Sequence, residues 1–220
     1  MLIPLNRKKF EDIIPLVATS EQYKYCWGKL PDVLRRLLYS LAGVIVVLTL
    51  RYLLGEGFDL FMSILAIVVG LYWLWSPVYW ASRRNAEYRK FTYSGFWQGE
   101  VVDKFITEEL IGQEETVNKR GELVIIENRE RRLNLEVEDE SGFKTTLQVP
   151  LQRSHRSIRP GDIAEMVVVS NRPDLSRIAK ISDIYLPDND LWVSDYPVLR
   201  RDAFIDTSRQ LNRSGVAYGS

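Results

Sequence analysis

The residues of this 220-residue chain best suited to chemistry stand in one short run, Leu151-Gln152-Arg153-Ser154-His155-Arg156-Ser157-Ile158-Arg159-Pro160-Gly161-Asp162. His155 is the only histidine, and Arg153, Arg156 and Arg159 surround it. A catalytic base needs an acid to orient it and a nucleophile to serve, and a metal site needs further ligands at turn or helical spacing. Neither pattern accompanies His155, and its sequence neighbour Ser154 does not make a triad. His155 therefore reads as a solvated loop residue. The three arginines read as a candidate contact for phosphate or anionic headgroups, or as a solvated loop. Gly112, Gly121, Gly142 and Gly161 are isolated turn glycines and form no phosphate loop. Cys26 is the only cysteine, which removes intrachain disulfides and cysteine-rich metal sites. The expectation is a non-enzymatic protein with no cofactor and no metal.

A second group of candidates lies near the end, in Leu191-Trp192-Val193-Ser194-Asp195-Tyr196-Pro197-Val198-Leu199-Arg200-Arg201-Asp202-Ala203-Phe204. Trp192, Tyr196, Arg200, Arg201 and Phe204 are the residue types that anchor protein interfaces. They read as a partner-docking strip on an extended tail, residues 188–220. The other reading folds Trp192 and Tyr196 back over the preceding domain or the headgroups.

The elements that must position these groups divide the chain by charge. Residues 1–90 hold 12 Lys and Arg against 7 Asp and Glu, and residues 91–220 hold 17 against 22, so the formal net charge of zero conceals a basic half and an acidic half. The basic half also carries the apolar runs, which suits an anionic membrane surface, and the acidic half argues against nucleic acid as the main ligand.

Leu37–Leu54 is eighteen residues with Arg51 as its only charge, and Leu60–Ala81 is twenty-two with none. A bilayer core about 30 Å thick needs roughly 20 apolar residues, so a two-span transmembrane hairpin is expected over residues 37–82, turning at Gly55-Glu56-Gly57. A hairpin buried inside a soluble protein is the alternative. Arg7, Lys8, Lys9, Lys24, Lys29, Arg35 and Arg36 precede the first run, and Arg83, Arg84, Arg89 and Lys90 follow the second. By the positive-inside rule both termini are expected on the cytoplasmic side. Trp73, Trp75, Tyr79, Trp80, Arg83 and Arg84 are expected as interfacial anchors, and Pro77 as a kink near the exit of the second span. Residues 1–36 read as an interfacial segment, with Phe10, Ile13, Ile14 and Val17 at the spacing of a surface helix.

Beyond Lys90 the hydrophobic period shortens to two. Residues 97–110, 122–140, 143–150, 162–170 and 177–187 read as five strands. Asp139-Glu140-Ser141-Gly142 is a hairpin connection, and Arg159-Pro160-Gly161-Asp162 a tight turn. The expected fold is a membrane α-helical hairpin plus a small all-β cytoplasmic domain over residues 91–187, an OB-like five-stranded barrel. The alternative is an open sandwich. OB-type barrels often bind single-stranded nucleic acid, but this one has few aromatics and the wrong charge for that.

The N-terminal segment Ile3–Lys29 and the C-terminal segment Lys180–Phe204 resemble an uncharacterised family of two-span membrane proteins of cyanobacteria and plastids, often labelled phosphate transporter permease-like. The resemblance extends over nearly the whole chain and is most specific in the tail. It implies an integral protein of an oxygenic phototroph, placed in the thylakoid membrane. The expected partners are the lipid bilayer and a larger photosynthetic membrane complex, for which the chain serves as scaffold, assembly factor or accessory subunit. An auxiliary transport subunit and an anionic-lipid-binding membrane organiser are the alternatives.

Overall fold

The computed structural model describes residues 1–54, 57, 59–117 and 123–218. Gly55 and Glu56 of the expected turn, and Gly121, lie outside them. The chain divides into two compact units, Glu11–Lys90 and a unit formed by Met1–Phe10 with Phe91–Ser220.

The second of these units is a seven-stranded antiparallel sheet with a C-terminal helix. Its strands are β1 (Leu2–Leu5), β2 (Tyr93–Val117), β3 (Leu123–Glu138), β4 (Lys144–Pro150), β5 (Ile163–Ser170), β6 (Ile178–Leu186) and β7 (Leu191–Val193). The order is β4-β3-β2-β5-β6-β7, and β1 pairs with β2. All five strands expected from alternation are present. The sequence reading missed β1 and β7 because runs of four and three residues are too short to establish a period.

Alternation along β3 turns Leu133, Leu135 and Val137 into one core with Trp97, Val149, Met166, Ile184 and Val193. That core draws on β4 and β7, the two ends of the ladder, so the sheet must curve round it. A register shift between Val101 and Asp103 supplies one bend in β2. Among the described residues no ladder joins β4 to β7.

The turn chemistry is as expected: Gly142 and Gly161 take positive φ of 83° and 89°. Asp139 organises the β3–β4 turn. One of its carboxylate oxygens accepts from the Ser141 hydroxyl and from the backbone N–H groups of Ser141 and Phe143, and the other accepts from the buried Trp97 indole at 2.7 Å. Gly99 lies where β2 passes close to β3, and a Cβ there would stand 2.3 Å from the Glu138 carbonyl oxygen and 2.4 Å from the Trp97 ring. Gly99→Ala should destabilise this unit by about 2–3 kcal/mol, read by urea unfolding, because the first obstacle is backbone and cannot move aside.

β5 is buried on both faces. Its second face is covered by the segment after β6, which carries β7 and the helix α6 (Arg201–Tyr218). Residues 188–218, the described part of the expected extended tail, are thus not extended but carry β7 and α6. A sheet strand apolar on both faces needs a second layer, and the C-terminal segment supplies it.

The Glu11–Lys90 unit is helical. The helix α1 (Arg7–Ile13) leads into it, followed by α2 (Ser20–Trp27), α3 (Leu30–Leu54), α4 (Asp59–Gly70) and α5 (Tyr72–Arg89). Phe10, Ile13 and Ile14 are buried in the protein and only Val17 is exposed, so the expected membrane-surface helix is not present. Arg89 ties the end of α5 to the carbonyls of Glu11 and Ile14.

Pro31 and Asp32 in its first turn start α3 seven residues before the apolar run, because Pro needs no N–H partner there and a carboxylate suits the helix N-terminus. α3 is long and apolar enough to cross a membrane. α4 packs antiparallel against it: Arg51 pairs with Asp59 at 2.8 Å and Gly43 meets Val69.

The second apolar run is not one straight helix. It bends by 71° between α4 and α5, at Leu71, whereas Pro77 sits inside α5. The break frees backbone groups that must find partners in apolar surroundings. The Trp73 N–H donates to the Ser40 hydroxyl at 3.1 Å, and the Trp75 indole N–H donates to the Val68 carbonyl at 2.8 Å. Gln22 and Asn85, both fully buried, join α2 to α5 by a reciprocal pair of amide hydrogen bonds of 3.0 and 2.8 Å.

Candidate functional site: a basic cleft in the sheet unit

β2, β3 and the connection after β4 together enclose an open cleft of about 410 Å³, within the size range of ligand sites. Phe105 and Ile106 come from β2, Leu133 from β3, and Leu151 from the connection, giving an apolar floor. Lys104, Arg131, Arg153 and Arg156 supply the charge, and among the described residues no carboxylate lines it.

Local structure explains the placement. After β4 the chain makes a 3-10 turn, Arg153–Ser157, which swings Arg153 and Arg156 to the same opening. The His155 N–H donates to the Gln152 carbonyl, and the Gln152 N–H donates to His155 Nδ1, both at 3.2 Å. The proton of the neutral ring therefore sits on Nε2. His155 is only 2 % exposed, which corrects the solvated-loop expectation: the ring is the buried prop of the turn. Burial lowers its pKa, so the ring is neutral at neutral pH. Lys104 braces the turn from the opposite strand, donating its ammonium to the carbonyls of Arg156, at 3.3 Å, and Ile158.

Of the three arginines expected to act together, the structure brings Arg153 and Arg156 into the cleft. Arg159 is exposed outside its lining, and its backbone N–H caps Asp162 at 2.8 Å. Sequence reasoning missed Lys104, Phe105, Ile106 and Arg131. They lie in strands whose pattern shows only which side each residue faces, and their approach to residue 153 depends on the register of β2 with β3 and of β3 with β4. Chemically the cleft suits an anion with an apolar body, or an acidic side chain next to an apolar one. With Nδ1 of His155 taken by a backbone N–H, a carboxylate cannot orient the ring through that nitrogen as a general base requires.

Of the two readings of the docking strip, the structure folds the Trp192 ring back over the sheet. The Trp192 ring stacks on Tyr185 at 4.7 Å and meets Phe204 at 5.4 Å, while Phe204 is fully buried beside Phe96. The Arg201 guanidinium lies 5.3 Å over Trp192, and Tyr196 is half-buried. Arg200 alone of the five is exposed, and it pairs with Asp202 at 3.3 Å. Under them, Glu165 of β5 is fully buried and accepts from Ser208 at 2.7 Å, Asn212 at 3.0 Å and Gln98 at 3.2 Å. The rings serve the fold.

In the helical unit the expected interfacial anchors separate. Trp75, Tyr79 and Trp80 are exposed along α5, whereas Trp73 packs edge-on against Trp27 at 5.9 Å. Arg83 lies 5.5 Å over Trp80, and Arg84 lies 5.5 Å over Tyr25.

The fold and cleft define a class: an apolar helical unit joined in one chain to an antiparallel sheet unit with a basic, apolar-floored cleft. The chain belongs to the Family of unknown function DUF8619, whose sequence pattern matches residues 3–214. No curated protein and no solved structure matches it.

Proposed function

We propose that this is a membrane-anchored, non-enzymatic adaptor that holds a partner in the cleft of its sheet unit. In this reading α3 is one span, and α4 with the start of α5 is a second, bent one. The sheet unit is a partly closed OB-like barrel on the cytoplasmic side.

One observation carries the anchor: α3 is apolar enough to cross a bilayer, yet only 11 % of its apolar stretch is buried in the protein. A core helix of a soluble protein would turn those side chains inward, and leaving Leu38, Leu41, Ile45 and Val46 in water would be costly. The cleft supports the adaptor role, since four cations round an apolar floor favour an acidic partner segment. The resemblance described above supplies the setting, a photosynthetic membrane complex as client.

Charge reversal of the cleft tests the reading. After purification of the tagged full chain in mild detergent, the wild type should run as part of a larger assembly. An Arg131→Glu, Arg153→Glu, Arg156→Glu variant, still membrane-bound and folded, should lose the partner. A wild type that always runs alone, or a variant that keeps its partner, would refute the proposal.

A further inference from the structure

We infer a second binding site, in the helical unit, for the phosphate-bearing headgroup of an anionic phospholipid; the inference rests on the membrane-anchored reading. α2, the first turns of α3 and the second half of α5 enclose a cleft of about 500 Å³ lined by Arg35, Arg36 and Arg84 with Tyr25, Tyr39 and Trp80. Among the described residues Asp32 is the only acid in the lining, so Arg35, Arg36 and Arg84 leave it a formal charge of +2. Its carboxylate accepts from the Lys29 backbone N–H at 3.1 Å and lies 3.6 Å from Arg35.

Two of the guanidinium groups are held in position by the protein. Arg36 donates to the carbonyls of Asp32, at 3.2 Å, and Trp27, and stands 5.5 Å from the Trp27 ring. Arg84 is held 5.5 Å over Tyr25. A guanidinium has about five N–H donors, so Arg36 keeps several for a phosphate after these bonds. Fixing the donors beforehand lowers the ordering cost of binding.

The surface that continues from the cleft argues for a lipid as the source of the phosphate. α3 passes directly from Arg35 and Arg36 to Leu37, Leu38 and Leu41, all exposed, so acyl chains attached to a bound headgroup have an apolar track to follow. Trp80, exposed on α5, is the residue type that settles at headgroup level.

Cys26 also lines the cleft and, as the only cysteine, reports on its occupancy. Burial raises its thiol pKa, with Arg84 and Arg36 pulling it back. The full chain is placed in nanodiscs of phosphatidylcholine alone or with added phosphatidylglycerol, and the rate of Cys26 alkylation by a soluble maleimide is measured. Phosphatidylglycerol should slow alkylation severalfold. Most of that protection should be lost in Arg35→Gln, whose side chain is mainly exposed and whose substitution leaves the membrane charge unchanged.

Equal rates in the two lipids, or full protection retained in Arg35→Gln, would overturn the lipid site while leaving the anchor intact. Equal protection by inorganic phosphate in phosphatidylcholine discs would assign the site to free phosphate and overturn the lipid reading. A chain that size-exclusion shows not to enter nanodiscs would overturn the anchor and the lipid site together.

Discussion

Between pH 5 and pH 8 the sheet unit of the wild-type chain should lose about 2–3 kcal/mol more stability than that of an Asp183→Asn variant. Asp183 lies in β6, almost fully buried, and its carboxylate accepts from the backbone N–H groups of Val198 at 3.0 Å and Leu199 at 3.3 Å. Burial pushes its pKa up to about 7; those two donors and the charge of Arg201 oppose the shift without cancelling it. The folded state therefore keeps a proton that the unfolded chain releases near its ordinary value of 3.8. A raised carboxyl pKa gives stability that is fully present in acid and lost as pH rises from about 4 to about 7. Hydrogen exchange of the β5 and β6 amides in the full chain, followed across this range, measures it. Asn has no proton to lose, so its curve should lack this slope, although it can accept only one of the two N–H groups well and starts less stable. Parallel curves for the two proteins would refute the assignment. Asp139 carries the opposite sign. Burial would raise its pKa, but hydrogen bonds from Ser141, Phe143 and Trp97 outweigh that and hold it below the usual value, so its contribution is lost only in stronger acid.

Phe204→Ala should cost about 3–5 kcal/mol and open the second face of the sheet. The Phe204 ring is fully buried, 5.7 Å from Phe96, 6.2 Å from Tyr185 and 5.4 Å from Trp192. Its removal leaves a cavity bounded by three rings that are themselves held by strands, so collapse is restricted and the cost falls in the upper range for such truncations. Limited proteolysis and exchange at the amides of Phe96, Val167 and Val169 should both accelerate. Arg200→Ala, at an exposed neighbour, should change stability by less than about 0.5 kcal/mol. Were Phe204→Ala to leave the sheet protected while weakening a partner complex, the docking role expected from the sequence would be restored.

The two predictions concern one question, what covers the second face of β5. The run Ala164-Glu165-Met166-Val167-Val168-Val169 is apolar apart from Glu165, and the structure buries it on both faces. Nothing local says which segment supplies the second layer. Trp192, Arg201 and Phe204 have the residue types of an interface because an intramolecular cover and an intermolecular one use the same contacts. Only the position of β7 beside β6, with Leu186 opposite Leu191, turns those rings inward.

The cleft follows the same division. Arg153 and Arg156 were legible, together with Arg159, as a local cluster because they recur at every third position. Their companions Lys104 and Arg131 are distant in sequence, and a shift of one residue in the β2–β3 register would carry Arg131 to the other face. In the helical unit the length and apolar character of α3 were legible, whereas the 71° bend was not. A helix breaks where its freed backbone groups find partners, and here the Ser40 hydroxyl comes from a neighbouring helix.

By itself, then, the sequence determined the basic apolar half, the acidic β-rich half, five of the strands and the turns at Gly142 and Gly161, since these depend on periodicity and backbone preference within a few residues. The tertiary structure decided the bend at Leu71, the burial of His155, the inward fold of Phe204 and the gathering of four cations round Phe105 and Ile106. Each of these depends on which distant partner a buried group meets, and the cost of leaving such a group unpaired or unpacked is set only when the chain has folded.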